Sequence, residues 1–395
     1  MSVIKNGVEE IIPEKELLEK LKKSEKSGKP LRIKYGIDPT GYDVHIGHLV
    51  PIRKMRDFQD LGHIGVIIIG DFTAQIGDPT GRDETRKHLS SDDVKQNAEK
   101  YMEQMYKILD PDKTEVRWQS EWFKKMNLES VINLMSKFTL AQFMAHETFR
   151  KRYENGLPLS LHELLYPLLQ AYDSVAIDAD VELGATEQKF NILAGRELQK
   201  IMRKEEQIAV LSPILIGTDG KEKMSKSFNN YIAIFDSPEE KYGKVMSIPD
   251  SIILNYFKLA TKMHPNEIKK IENVLKSKKE NPKNIKMQLA REIVTLYHNK
   301  DAAIKAETHF QKVFAQKEIP DEMPIFEIEE DEIWIVKLLV DANLVKTNNE
   351  ARRMINQNAV SINGNRINDI NLNLKIENGI IVKVGKRRFC KIKKT

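Results

Sequence analysis

Residues 31–70 read LRIKYGIDPTGYDVHIGHLVPIRKMRDFQDLGHIGVIIIG, and the order of patterns inside them decides the fold. LRIKYGID (31–38) has the look of a strand, and a Pro/Gly turn follows. HIGHLVPIRKMRDFQDLG carries apolar residues at helical spacing up to Gly62. IGVIIIGDF is an apolar run suited to a strand buried on both faces. Strand, helix and doubly buried strand in that order form a βαβ unit of a parallel sheet. IAVLSPILIG (208–217) supplies another apolar strand before the turn TDGKEK. The expected fold is α/β, with a doubly wound, Rossmann-like parallel sheet. Ligands of such sheets sit at the carboxyl ends of the strands. DVHIGH (43–48) follows a strand end and opens a helix, so it stands where a ligand is expected.

The bulk numbers agree with a globular protein of two or three domains: 395 residues, 41% hydrophobic and 31% charged. The single cysteine, Cys390, rules out a disulfide framework or a cysteine-rich zinc site and fits a reducing, cytoplasmic setting. The first residues, MSVIKNGVEEIIPEKELLEKLKK, mix acids with bases and read as neither a secretory signal nor a transit peptide. No apolar run approaches the roughly 18 residues of a membrane span, so no membrane partner is expected. The net charge of +5 is uneven. Residues 352–395 hold eleven Lys/Arg against Asp369 and Glu377, whereas residues 1–351 hold 52 basic and 56 acidic side chains. A basic tail on a near-neutral body fits either a polyanion contact or a solvated basic surface.

The organisation changes after residue 235. DSPEEKYGKVM offers Ser237 as N-cap, Pro238 at the first helical position and Glu240 for a capping box. From there to 315 the pattern is helical, broken at Pro249, Pro265 and Pro282, which reads as a small helical domain. Residues 316–332, with two prolines and many acids, read as a linker. Residues 333–395 form a third, α+β unit. EIWIVKLLVDANL and NNEARRMINQNA read as helices, Asn363-Gly364 as a hairpin turn, and GIIVKVGKRRFCKIKK as a basic strand pair. The catalytic part is then 1–235.

His45 and His48 invite a metal reading, but zinc needs three or four ligands and nothing near them completes a set, so no metal site is assigned. Two readings remain for the residues themselves. They are hydrogen-bond donors to phosphate at a helix start, with Gly47 leaving room for a flat ring, or they are structural histidines. KMSKS (223–227) follows a strand and a Gly-containing turn, and two lysines and two serines on one loop suit a triphosphate.

HIGH near the start of such a sheet and KMSKS near its end resemble a class I aminoacyl-tRNA synthetase. The segments YGIDPTGYDVHIGH, GDFTAQIGDPTGRDETR, LLYPLLQAYDSVAIDADVELGATEQKFN and KMSKS, in that order, resemble the bacterial tyrosyl-tRNA synthetase family over nearly the whole chain. The tail ARRMINQNAVSINGNRI is similar to that family's S4-type RNA-binding domain. The resemblance implies activation of L-tyrosine with ATP and Mg²⁺, transfer to tRNA(Tyr), and a homodimer formed through the catalytic domain.

It also implies roles. Tyr166, Gln170 and Asp173 share one helix face by spacing; in the family the first two lie near the substrate's amino group and Asp173 at its phenol. Thr73 and Asp78 are expected at the ammonium group, with Asp38 nearby. Thr40, His45, Arg82, Arg86, Lys223 and Lys226 are expected at the phosphates. His48 and Gly47 are expected near ribose and base, Gln188 and Glu187 on the substrate and ribose side, and Met224, Ser225 and Ser227 on ATP. The sequence departs from the family at Ala74, Ala185 and Glu187, and Lys34 stands where one branch has a tyrosine. Tyr35 reads equally as a strand residue or a neighbour of the nucleotide.

Overall fold

The structure is a computed structural model that describes residues 1–39, 44–76, 90–277, 280–312, 323–385 and 388–395. It divides into two compact units, Met1–Glu307 and Thr308–Thr395.

Six strands form the sheet of the first unit: β1 (Glu10–Ile12), β2 (Arg32–Ile37), β3 (Ile64–Ile69), β4 (Thr114–Trp118), β5 (Val181–Ala185) and β6 (Ile208–Ser212). Their order is β1-β6-β5-β2-β3-β4. All neighbours run parallel except β1, which closes the β6 edge antiparallel. The apolar runs explain the centre: every residue of β6 is buried, and all of β3 beyond Ile64. From β2 the chain builds β3 and β4 on one side and then crosses to β5 on the other. The switch point therefore lies between β2 and β5. These two strands pair only at Ile33↔Val181 and Lys34↔Glu182. Beyond that they part, and a crevice opens at their carboxyl ends.

Several expectations are corrected in detail. The helix after β2, α1 (Val50–Asp60), begins after HIGH, which occupies a turn. The reason is that Val44–Ile46 is drawn into backbone pairing elsewhere in the unit, as described below. β6 ends at Ser212 because Pro213 has no N–H to continue a ladder. The helix carrying Tyr166, α2 (Leu161–Ala176), starts at a Ser160/Glu163 capping box. The next, α3 (Lys189–Ile201), follows β5 and packs on α2. The helix α4 (Pro238–Ser247) has the capping box read from the sequence. It and the helices that follow it belong to the same compact unit as the sheet. Buried Lys241 donates to Ala233 O (2.6 Å) and Ile234 O (3.1 Å), and Tyr256 Oη to Ile216 O (2.8 Å), tying the two regions together.

The second unit is built on β7 (Ile325–Ile328), β8 (Glu332–Trp334), β9 (Val360–Ile362), β10 (Asn365–Ile367), β11 (Asn373–Lys375), β12 (Ile381–Val384) and β13 (Arg388–Lys394). Five form a sheet in the order β10-β9-β12-β13-β7, and β11 pairs with β8. Helices Ile335–Asp341 and Asn348–Asn356 pack with them around Leu338, Ile355, Val382 and Ile392. Asn363 and Gly364, at φ 47° and 86°, make the two-residue hairpin turn. The stretch read as a linker carries β7, which lies parallel to β13. Its acids answer the basic strand: Glu327 pairs with Lys393 at 2.7 Å, and Asp331 with Lys394. EIW, read as the start of a helix, is β8.

Candidate active site

The crevice is a cleft of about 590 Å³. Where β2 and β5 last touch, Lys34 and Glu182, 0% and 1% exposed, form an ion pair at 2.9 Å. Lys34 Nζ also donates to Gln170 O (2.8 Å) and Ser174 Oγ (2.7 Å), while Gln170 Nε2 donates to Glu182 Oε1 (3.1 Å). A buried pair with this many partners is satisfied on both sides, and removing either member would strand a charge.

One wall is a hydrogen-bonded chain. Tyr166 Oη donates to Asp38 Oδ2 (2.8 Å), and Thr73 Oγ1 to Asp38 Oδ1 (2.6 Å). Gln119 Oε1 accepts from Thr73 N (3.0 Å), and Gln119 Nε2 donates to Asp173 Oδ2 (2.8 Å). Trp122 Nε1 donates to Asp173 Oδ1 (3.1 Å). Burial pushes the Asp173 carboxyl up to about 7, although the Lys34 charge and the Gln119 bond pull the other way. Gly70 stands where a Cβ would run into Asp38 Oδ1 and Thr73 Oγ1, which fits the glycine there. Sequence reading missed Gln119, Trp122 and the pairing role of Lys34. The one signal for Gln119 was its place directly after a parallel strand. Tyr35 lines the cleft together with Tyr101, and burial raises its phenol pKa.

On the other wall the backbone of HIGH pairs with the segment that follows KMSKS. His45 pairs with Ala233 as an antiparallel bridge, Ile46 N donates to Ile232 O (3.0 Å), and Ile234 N to Val44 O (3.0 Å). A Cβ on Gly47 would lie 3.1 Å from His45 Nδ1 and 3.5 Å from Met224 Cβ, so the glycine sits where HIGH meets KMSKS. The rings of His45 and His48 stack at 3.6 Å. Burial pushes His45 down to about 3, helped by His48 and Lys226. His48 is pushed down to about 4 by burial of its titrating group and by Lys226, although the residue as a whole is exposed. Both are neutral at pH 7. Neutral imidazole both donates and accepts, and His45 Nδ1 is buried without a hydrogen-bond partner among the described residues.

The KMSKS loop is held by Asn230. Its Oδ1 accepts from Ser225 N (2.8 Å), and its Nδ2 donates to Asp219 Oδ2 (2.8 Å) and Lys223 O (3.1 Å). Lys223 Nζ reaches Glu187 Oε1 at 3.2 Å across the cleft mouth. Asn191 Nδ2 donates to Gln188 Oε1 (3.1 Å). At β5 the crowded glycine is Gly184, whose Cβ would meet Ile192 Cδ1 at 2.6 Å; the methyl of Ala185 is accommodated.

The cleft brings together Asp38, His45, Gly47, His48, Thr73, Tyr166, Gln170, Asp173, Glu187, Gln188, Lys223, Met224, Ser225 and Lys226. Ser227 does not line it; it is exposed, and its N–H donates to Ser225 Oγ (3.2 Å). Thr40, Asp78, Arg82 and Arg86 lie outside the described residues.

Comparison with known proteins supplies independent findings. Residues 26–315 match the family model "tRNA synthetases class I (W and Y)", and 315–392 match "Tyrosine--tRNA ligase SYY-like C-terminal domain". The chain is 52% identical over 398 residues to a tyrosine--tRNA ligase of Carboxydothermus hydrogenoformans, covering 99% of this chain and 97% of the relative. It is 48% identical to that of Thermotoga maritima, covering 99% and 96%. Among solved structures, a C-terminally truncated mitochondrial tyrosyl-tRNA synthetase of Aspergillus nidulans superposes with a TM-score of 0.65 at 22% identity, over 79% of this chain and 94% of that one. The tyrosyl-tRNA synthetase of Archaeoglobus fulgidus complexed with L-tyrosine gives 0.61 at 20%, over 77% and 98%. The structural likenesses speak for the fold. Matched from 26 to 392 by two successive family models and half identical to relatives over 99% of its length, this chain belongs to the tyrosine--tRNA ligase family of class I tRNA synthetases.

Proposed function

We infer that this chain joins L-tyrosine to tRNA(Tyr) in two steps, with ATP as co-substrate. The observation that carries the choice of amino acid is Asp173, a carboxylate 2% exposed, with donors on both oxygens and lone pairs still facing the cleft that HIGH and KMSKS share. A phenol hydroxyl would donate to it, and phenylalanine would leave it short of that partner. Tyrosyl-tRNA synthetases are themselves the known example of such rejection, at about 10⁴–10⁵-fold; the figure is the family's and is not worked out from this structure.

In the first step the substrate carboxylate attacks the α-phosphorus of Mg²⁺·ATP, forming the mixed anhydride and releasing pyrophosphate. The nucleophile is already ionised, so this chain's contribution is positioning and charge stabilisation. We assign Asp38, Thr73, Asp78, Tyr166, Gln170 and Gln188 to the amino-acid side and Asp173 to the phenol. Thr40, His45, Arg82, Arg86, Lys223 and Lys226 take the phosphates. Gly47, His48, Glu187, Met224 and Ser225 take the nucleotide, and Ser227, outside the cleft, is left without a role there. In the second step a hydroxyl of the tRNA 3′-terminal ribose attacks the carbonyl carbon, and AMP leaves.

The basic residues of the second unit, among them exposed Arg353, Arg366, Lys375 and Lys391, are proposed to meet tRNA phosphates. A homodimer through the first unit is supported by exposed apolar side chains within 128–161: Leu128 (74%), Ile132 (57%), Leu140 (63%) and Leu161 (82%) among them. Among the described residues no helix is long and apolar enough to cross a membrane. The proposed location is the cytoplasm, where tRNA and ATP are at hand.

ATP–pyrophosphate exchange tests the reading. Tyrosine should support it and phenylalanine and tryptophan should not. Exchange with tryptophan in place of tyrosine, or with neither, would overturn it.

A further inference from the structure

One face of α1 points away from the chemistry just described. Val50, Arg53, Lys54, Asp57 and Asp60 recur at helical spacing and line a separate recess of about 180 Å³. The first residues of the chain and the stretch 258–265 close its other sides. Gly7, at φ +70°, packs there so tightly that a Cβ would lie 2.8 Å from Lys258 O.

The charges in this recess do not balance. Lys54 Nζ donates to Asp57 Oδ2 (2.6 Å), Asn6 O (2.8 Å) and Val3 O (3.0 Å), so it is saturated. Arg56 Nε takes Asp60 Oδ1 at 2.7 Å. Both acids are thereby engaged. Arg53 is left 9% exposed, its Nη1 buried with no hydrogen-bond partner among the described residues. Exposed Lys258 and Lys262 line the same recess and make no ion pair among the described residues. Burial, Arg56 and Arg53 depress Lys262 and outweigh the Asp60 and Asp57 carboxylates that hold it up, so the cations of this recess press on one another. The Tyr297 and Asp57 oxygens steady this guanidinium from nearby, but Oδ2 of that carboxylate is already held by Lys54, so the burial of Arg53 is only partly offset.

We propose that this recess is a phosphate-binding site, with Arg53 in its wall and Lys258 and Lys262 at its mouth. Its size admits one tetrahedral oxyanion, and a guanidinium fork matches two phosphate oxygens. Arg53, Lys54, Lys258 and Lys262 against Asp57 and Asp60 leave the lining net positive, which suits a dianion better than a carboxylate. The phosphate comes either from a free inorganic ion or from the backbone of the RNA substrate; only the second source rests on the function proposed above.

The test is thermal unfolding of the full chain in inorganic phosphate against chloride at matched pH and ionic strength. The main cleft is first filled with a sulfamoyl analogue of the adenylate, so that added phosphate cannot act there. At phosphate about ten times its Kd, the wild type should unfold about 2 °C higher. Arg53→Met should lose that rise and keep tyrosine-dependent exchange. Should Arg53→Met fail to fold, exposed Lys262→Ser should weaken the phosphate response several-fold. In parallel, tRNA binding is followed against salt. A log–log slope about one unit shallower in Arg53→Met, or in Lys262→Ser if that variant is used, assigns the site to an RNA phosphate. An unchanged slope with a lost phosphate response assigns it to a free ion. A phosphate response equal in wild type and variant, or absent from both with an unchanged slope, overturns the proposal. Failure of exchange in the wild type would refute the ligase reading alone.

Discussion

Replacing Gln119 by methionine keeps much of its length and removes its polar end. In the structure that end does two things. Nε2 donates to Asp173 Oδ2 at 2.8 Å, and Oε1 accepts from Thr73 N at 3.0 Å. A hydrogen bond to a charged partner contributes about 1.5–3 kcal/mol. At about 1.4 kcal/mol per pKa unit, its loss drives the Asp173 carboxyl, already at about 7, upward by about one to two units. The direction follows because the bond favours the ionised form and burial opposes it. At pH 7.5 the variant would hold Asp173 mostly protonated, whereas the wild type holds it mostly ionised. Tyrosine KM in pyrophosphate exchange should then rise about 10–100-fold at pH 7.5 and recover part of that loss by pH 9. The wild-type KM should change far less across that interval. Discrimination against phenylalanine should fall, since the lost affinity belongs to the phenol end. Purified variant, exchange kinetics from pH 6.5 to 9.5 and both amino acids suffice. A KM within twofold of wild type throughout, or a rise independent of pH, would refute the reasoning.

Asn230→Ala should free Ser225 and Lys223 O from their anchor and lower the rate of adenylate formation about tenfold or more, with tyrosine affinity unchanged in equilibrium binding. The two histidines, at about 3 and 4 in the fold against about 6.5 unfolded, bind no proton in the native state where the unfolded chain does. Their contribution to stability is therefore complete above about pH 6.5 and is lost as pH falls towards 4; imidazole NMR should find neither titrating near 6.5, and His48→Asn should narrow the difference in Tm between pH 7 and pH 5. Removal of 323–395, a cut placed ahead of β7, should spare tyrosine-dependent exchange and abolish tRNA charging; loss of both would make the second unit structural.

What the chain disclosed about itself depended on how local the cause was. Ser237-Pro238 with Glu240, and Asn363-Gly364, act through neighbouring backbone groups, and both formed as their chemistry dictates. The βαβ opening was legible because IGVIIIG admits hardly any other burial. The pairing of β2 with β5 was not, since residues 148 apart in sequence meet there and only the crossover order decides it. Nor was Gln119 legible: β4 is half-buried throughout, so no alternation marks where TEVRW ends and the cleft begins. HIGH was placed on the helix because its pattern runs into that of α1. A backbone ladder to Ile232–Ile234 holds it in a turn instead, and no periodicity in 43–62 reports partners 186–190 residues away. IFEI was lost among the acids of the supposed linker, whose partners Lys393 and Lys394 lie at the far end of the chain.

The anchoring of KMSKS sets a limit on reach. Lys223 is fixed by a backbone bridge to Ile216, and Ser225 N by Asn230. Only 226–229 can change shape without breaking those bonds, an arch of four residues that spans at most about 14 Å when fully drawn out. The two lysines are thus unequal instruments. Lys223 is a fixed post whose ammonium can swing only by its own side chain. Lys226 rides the arch, one residue from a pinned end, and can follow a charge as it moves from bound nucleotide to departing pyrophosphate.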